Sequence, residues 1–284
     1  MVAFSLFGIS IYWYGIFYFL AFLAGYLFFM YIKRYSFFEK YAPGFYSLLQ
    51  KSPEDIVLYT VLGLLVGGRL GHIFIYDFSY YLEHPLRVFA IWEGGMSFIG
   101  GILGVITALL FIIRKYKFSF RDFWTLADLL ILPTSFGIMF GRIGNFLNQE
   151  LYGRLVTDVF PSLGSHIVSF FSYIHLFYIY DRVDGFLRIN TNFLASFFEG
   201  FVVLLFSSIV LFVSLKKNRR TIGFLSSFFL VWYSFVRFFL EYLRMDSQSE
   251  YVAFLTKSQR FFVLFFIIGI FLMYRSLKKS SYMK

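Results

Sequence analysis

The sequence predicts an all-α polytopic membrane protein with about seven transmembrane helices and a small extracytoplasmic head. Three observations carry this. Of the 284 residues 59% are hydrophobic, with a mean hydropathy of +0.71, whereas soluble domains are roughly 45–50% apolar. Several apolar runs approach or exceed the roughly 20 residues that cross a bilayer. The Lys and Arg residues that bring the net charge to +10 fall in short clusters between those runs, as membrane orientation produces. That placement argues against nucleic acid as a partner. The 44 Phe and 22 Tyr are spread along the whole chain and read as lipid-facing filler. With no cysteine in the chain, disulfides, cysteine-ligated zinc and a cysteine nucleophile are excluded, so any thiol in a reaction comes from a substrate.

The first span, about 11–32, has no Lys or Arg before it. It lacks the basic start of a cleavable signal peptide and is expected to remain as a helix. It opens with Tyr12-Trp13-Tyr14-Gly15, where Tyr12 and Trp13 suit the membrane interface. The second span, about 56–76, contains Gly67-Gly68-Arg69-Leu70-Gly71-His72. Small residues at this spacing allow tight helix packing, while Arg69 inside a span needs an anion, a carbonyl or water. A structural ion pair and substrate binding both fit Arg69. The third span, about 96–113, follows the segment Trp92 to Gly101.

The fourth span, about 124–141, carries Asp128 near its start. About 21 Å of helix separates Asp128 from Arg142 at 1.5 Å per residue, which makes it structural, or the lining of a lower cavity, but not an acid–base group. Between 154 and 192 polarity rises, with Asp158, Asp181, Asp184 and Arg188 among apolar stretches. This is the head, inserted into an otherwise single membrane domain covering 1–284. His166 and His175 there read as packed or surface histidines. The four histidines show no metal-ligand spacing, and no metal or other cofactor is expected. Spans five to seven are about 193–215, 221–242 and 260–274, the last short and free to begin earlier. Basic residues cluster at 33–51, 114–121, 216–220 and in the tail, against Arg87 alone in loop 77–95. The N-terminus is therefore expected outside and the C-terminus in the cytoplasm.

Two polar clusters stand out. Gly141 to Gly153 directly follows an apolar segment yet carries one cation, one carboxylate, three carboxamides and three glycines. Hydrocarbon tolerates such groups only where they face protein or water. Its glycines allow backbone to approach a ligand, and Arg142 offers a fork of donors suited to phosphate. The second cluster is Tyr233, Arg237, Glu241 and Arg244, whose steps of four, four and three put all four on one helix face.

The run Arg142-Ile143-Gly144-Asn145-Phe146, with Asn148, Glu150 and Gly153, resembles the hallmark motif of the prolipoprotein diacylglyceryl transferases. Supporting resemblances extend from about Tyr12 to Gln259: the Trp-Tyr-Gly element at 13–15, Gly-Gly-Arg at 67–69, Asp128, and the Tyr233/Arg237/Glu241/Arg244 spacing. Two segments depart from the pattern. Gly94-Gly95-Met96-Ser97-Phe98 is followed by Ile99 where the family has a histidine often assigned as catalytic base. The stretch 193–199 keeps only Glu199 of the family's usual segment, which marks a divergent member.

The resemblance implies a multi-pass enzyme of the bacterial plasma (inner) membrane that acts on phosphatidylglycerol. The diacylglyceryl group goes to the lipobox cysteine at the end of a prolipoprotein signal peptide, and glycerol 1-phosphate is released. On this reading Arg142 and Arg237 face the phosphate, and Asn145 and Tyr14 hydrogen-bond the headgroup and glycerol. Glu150 and Glu241 position the arginines. Gly153, Tyr233, Arg69 and Arg244 complete the substrate-binding set. A lipid transporter, or a non-catalytic membrane protein that binds lipids or signal peptides, would use the same residue types.

Overall fold

A computed structural model of the chain describes residues 2–6, 9–90, 95–217, 222–245 and 254–281, with backbone alone at 2–12, Tyr14, Phe98, Lys257 and 279–281. The described residues are mostly helical: α1 (Trp13–Ile32), α2 (Phe37–Tyr41), α3 (Pro43–Lys51), α4 (Pro53–Ile75), α5 (Phe78–Glu83), α6 (Phe98–Lys115), α7 (Phe120–Asn148), α8 (Val156–Val159), α9 (Ser165–Tyr173), α10 (Thr191–Ala195), α11 (Val202–Lys216), α12 (Phe224–Leu243) and α13 (Lys257–Ser281). A π-helical segment, Ser196–Phe201, joins α10 to α11. Among the described residues six segments are long and apolar enough to cross a membrane: Gly15–Ile32, Pro53–Ile75, Phe120–Asn148, Thr191–Lys216, Phe224–Leu243 and Ser258–Lys278.

The structure refines three of these elements. The chain is not wholly helical: β1 (Val2–Leu6) pairs antiparallel with β2 (Ile9–Tyr12), and β3 (Phe177–Ile179) with β4 (Leu187–Ile189). The first helix therefore begins at Trp13, because Ile11 and Tyr12 belong to a strand; short apolar and aromatic runs fit strand and helix alike. The fourth helix does not stop at 141 but continues through the polar motif to Asn148. Its carboxamides end the hydrophobic run without ending the backbone hydrogen bonding. The last helix starts at Lys257, earlier than its apolar run.

The chain divides into two compact units, residues 25–127 and residues 1–24 with 128–284. In the first, α4 and α6 meet backbone to backbone. A Cβ on Gly67 would stand 2.5 Å from the Gly100 carbonyl oxygen, and one on Gly71 2.5 Å from the Gly100 Cα. The small-residue spacing thus does what close helix packing requires. Asp122 accepts hydrogen bonds from the backbone N–H of Ser119 and Phe45 at 2.8 and 2.9 Å, capping α7 and anchoring α3.

In the second unit, Asp128 is 1% exposed and accepts from the N–H groups of Gly223 and Ser226 at 2.8 and 2.9 Å. It caps α12 from another helix, the structural role expected of it. Helix α13 packs along α12, where Gln259 Nε2 donates to the Phe238 carbonyl at 3.1 Å. Residues 154–192 form α8, α9 and the β3–β4 hairpin around Val156, Phe177 and Ile189, with Leu194 and Leu243 against them. His166 and His175 are exposed.

Candidate active site

Helices α7, α12 and the π-helical segment bring three guanidinium groups and two carboxylates together inside the larger unit. Arg142 projects from α7 and donates through Nη2 to Glu199 Oε2 at 3.1 Å. Glu199 is fully buried. Its other oxygen lies 3.7 Å from Arg237 Nη1. Arg237 Nη2 stands 3.5 Å from Glu241 Oε2, and Arg244 Nη1 stands 3.9 Å from that same oxygen. Tyr233, 3% exposed, lies on α12 one turn before Arg237. The motif and the α12 stripe are therefore one cluster, as the two sequence patterns predict if their helices pack.

Charge-assisted N–H···O contacts normally close to about 2.7–2.9 Å. The contacts of Arg237 are longer than that, so its donors are steered by the carboxylates without being saturated by them. Among the described residues three arginines stand against two carboxylates in this cluster, a formal surplus of one positive charge. Cationic charge in such surroundings is expensive to keep, and its chemistry suits an anionic ligand.

The end of the motif is held as firmly as its start. Gln149 and Leu151 take left-handed backbone angles, φ +56 and +54, which cost non-glycine residues roughly 1–2 kcal/mol each. Hydrogen bonds hold this turn: Thr191 Oγ1 to the Leu151 carbonyl at 2.8 Å, and Asn192 Nδ2 to the Glu150 carbonyl at 2.7 Å. Gly153 donates to the Ile189 carbonyl at 3.1 Å and bridges Arg244 in antiparallel fashion. A Cβ at position 153 would strike the Ile189 carbonyl, so glycine is required there for close backbone approach.

The structure adds a carboxylate to those read from sequence. Glu199 accepts from Arg142, and Glu150 stands exposed just beyond α7, its backbone part of the turn. Arg244 is not on the α12 helix face; it is the extended residue that follows it, with φ −81 and ψ 143. Arg69 belongs to the smaller unit and donates to the carbonyls of Val88, Ala90 and Gly95 at 3.0, 3.1 and 3.2 Å. Carbonyl partners are one of the ways a guanidinium inside a span is satisfied. Asn145 lies on α7, three residues beyond Arg142. The side chain of Tyr14 and the segment Trp92 to Gly94 fall outside the described residues. Ile99 is buried near the start of α6. Glu199 is absent from the sequence-derived set, although it is the only charged residue between Asn192 and Leu215. A lone carboxylate in a span is itself a functional signal.

A mostly helical chain with six membrane-length helices and a buried arginine–carboxylate cluster is a multi-pass membrane protein with an internal charged site. More particularly, the chain belongs to the prolipoprotein diacylglyceryl transferase family, whose sequence profile matches residues 1–275. It is similar to phosphatidylglycerol–prolipoprotein diacylglyceryl transferases from several bacteria. The protein of Acinetobacter baumannii strain ACICU is 34% identical over 99% of this chain and 94% of its own length. That of Nitrosospira multiformis is 37% identical over 87% and 75%. That of Ehrlichia ruminantium is 31% identical over 92% and 91%.

Proposed function

We propose that this protein transfers the diacylglyceryl group of phosphatidylglycerol to the lipobox cysteine of a prolipoprotein, the first step of bacterial lipoprotein maturation. The observation that carries this reading is the buried arginine surplus, which suits one phosphodiester. The names borne by its relatives in Acinetobacter, Nitrosospira and Ehrlichia support the two substrates. The cysteine sulfur attacks the glycerol carbon that bears the phosphate. A C–S bond forms, the C–O bond breaks, and its electron pair leaves on the phosphate oxygen as glycerol 1-phosphate.

Arg142 and Arg237 bind the phosphate and offset the charge that grows on it in the transition state. Asn145 and Tyr14 hydrogen-bond the headgroup and glycerol, Tyr233 and Arg244 close the polar wall, and Glu241 orients Arg237. A free thiol titrates near 8.5, and a cationic field raises its thiolate fraction. The thiol proton passes to water or to a carboxylate such as Glu150. We infer seven spans in the chain, with α6, an 18-residue helix, added to the six. The N-terminus is outside, the C-terminus in the cytoplasm, and residues 154–192 form a head on the outer face of the bacterial inner membrane.

The test is transfer of labelled diacylglycerol from phosphatidylglycerol to a lipobox peptide by the purified protein. Thioether-linked product is expected. Retained lipid binding without product would make the protein a non-catalytic binder.

A further inference from the structure

We propose that Glu199 is a positioning residue of this site: its carboxylate sets the spacing of Arg142 and Arg237 and competes with the substrate phosphate for both. The inference rests on the phosphate-binding role given above to the two arginines. It begins with backbone geometry. Glu199 sits within the π-helical segment Ser196–Phe201, where one extra residue per turn shifts the side chains out of the α-helical phase. Three contacts hold that irregular turn. Ser196 Oγ donates to the Met139 carbonyl at 3.0 Å, and Trp232 Nε1 donates to the Phe198 carbonyl at 2.9 Å. Gly200 lets the segment lie against α7, since a Cβ there would stand 2.6 Å from Met139 Cβ. The turn is thus tied to α7, which carries Arg142, and to α12, which carries Arg237.

The charge geometry follows from that placement. Glu199 meets Arg142 at hydrogen-bond distance and Arg237 at 3.7 Å, so one carboxylate spans both guanidinium groups. Among the described residues its Oε1 is buried without a hydrogen bond, a state that normally costs stability. A chain that keeps a charged group so placed uses it for more than packing. As the residue between the arginines, it fixes their planes for an incoming phosphodiester. As an anion, it also weakens the hold on that phosphodiester.

Those two effects are separable in Glu199→Gln, which keeps the volume and one acceptor but removes the charge. The net surplus in the cluster rises from one to two, so binding tightens while orientation is lost. Binding of dioctanoyl phosphatidylglycerol to the full-length protein in detergent is measured by titration calorimetry, alongside kcat for transfer to a lipobox peptide. We expect affinity to rise by about 3–10-fold, from one charge removed a few ångströms away. We expect kcat to fall by roughly 10–100-fold, as for a disturbed transition-state contact. Glu199→Asp keeps the charge but retracts the carboxylate, and should lower kcat with affinity unchanged; it carries the test if the Gln variant does not fold. Unchanged kcat and affinity overturn the inference. So does a fall in kcat with unchanged affinity and a lowered melting temperature in Glu199→Gln, which is the mark of a packing role. A wild-type protein that binds the lipid but transfers nothing overturns the proposed reaction instead, and the binding comparison still decides the role of Glu199.

Discussion

Arginine, and not simply positive charge, is what positions 142 and 237 supply. A lysine ammonium is a compact point charge and cannot present a planar fork to two phosphate oxygens. Arg142→Lys and Arg237→Lys are each expected to lower kcat/KM by about 10²-fold while eluting as folded monodisperse protein. Near-normal transfer by both would remove bidentate phosphate binding from the mechanism. Ile99 poses the opposite question, since isoleucine accepts no proton. The rate of transfer against pH is expected to lack a limb near 6.5, the ordinary histidine pKa. A wild-type chain without transfer, rescued by Ile99→His, would show that a histidine was required.

Elements explain why some charged residues serve the scaffold. Asp128 supplies the missing cap of α12, whose start at Gly223 is left-handed, φ +78. Asp128→Ala should destabilise the fold by about 1–2 kcal/mol, seen as a lowered melting temperature in detergent with the activity of the folded fraction retained. In the segment 154–192, the Arg188 guanidinium holds the Asp184 carboxyl below its usual range, helped by the Phe186 N–H and opposed by desolvation. A depressed carboxylate contributes stability that is present above its unfolded value of 3.8 and lost as pH falls through the folded one. Burial pushes the Tyr180 phenol the other way, up to about 12 from 10.0. There the unfolded chain ionises first, so stability is intact below pH 10 and declines between 10 and 12. Spectrophotometric titration of tyrosine in wild type and Tyr180→Phe should show one phenol missing from the late-titrating group in the variant.

For the whole molecule, orientation is set by where the basic residues lie. Reporter fusions after Arg121 and Arg220 are expected to read cytoplasmic, and one near Asp184 external. A reversal at any of the three would put the arginine cluster at the wrong face for a secreted peptide. The membrane class was plain in composition and in the run lengths. So was much of the charged cluster: charged residues inside apolar spans are few, and Arg142, Arg237 and Glu241 announced themselves by their cost there.

What the sequence determined alone is what depends on local spacing. Apolar run length set the helices, glycine spacing set the α4–α6 contact, and steps of four placed Tyr233, Arg237 and Glu241 on one face. Tertiary structure decided what depends on partners far along the chain. The carboxylate that meets Arg142 lies 57 residues away, on a π-helical turn whose phase no 3.6-residue periodicity reveals. Arg244 left the helix because its backbone pairs with Gly153, and Arg69 found carbonyls of residues 88, 90 and 95 as partners inside its span. Charge alone marks a residue as needing a partner. Only the folded chain chooses which one, because the cost of a buried ion is settled by the groups packed within a few ångströms of it.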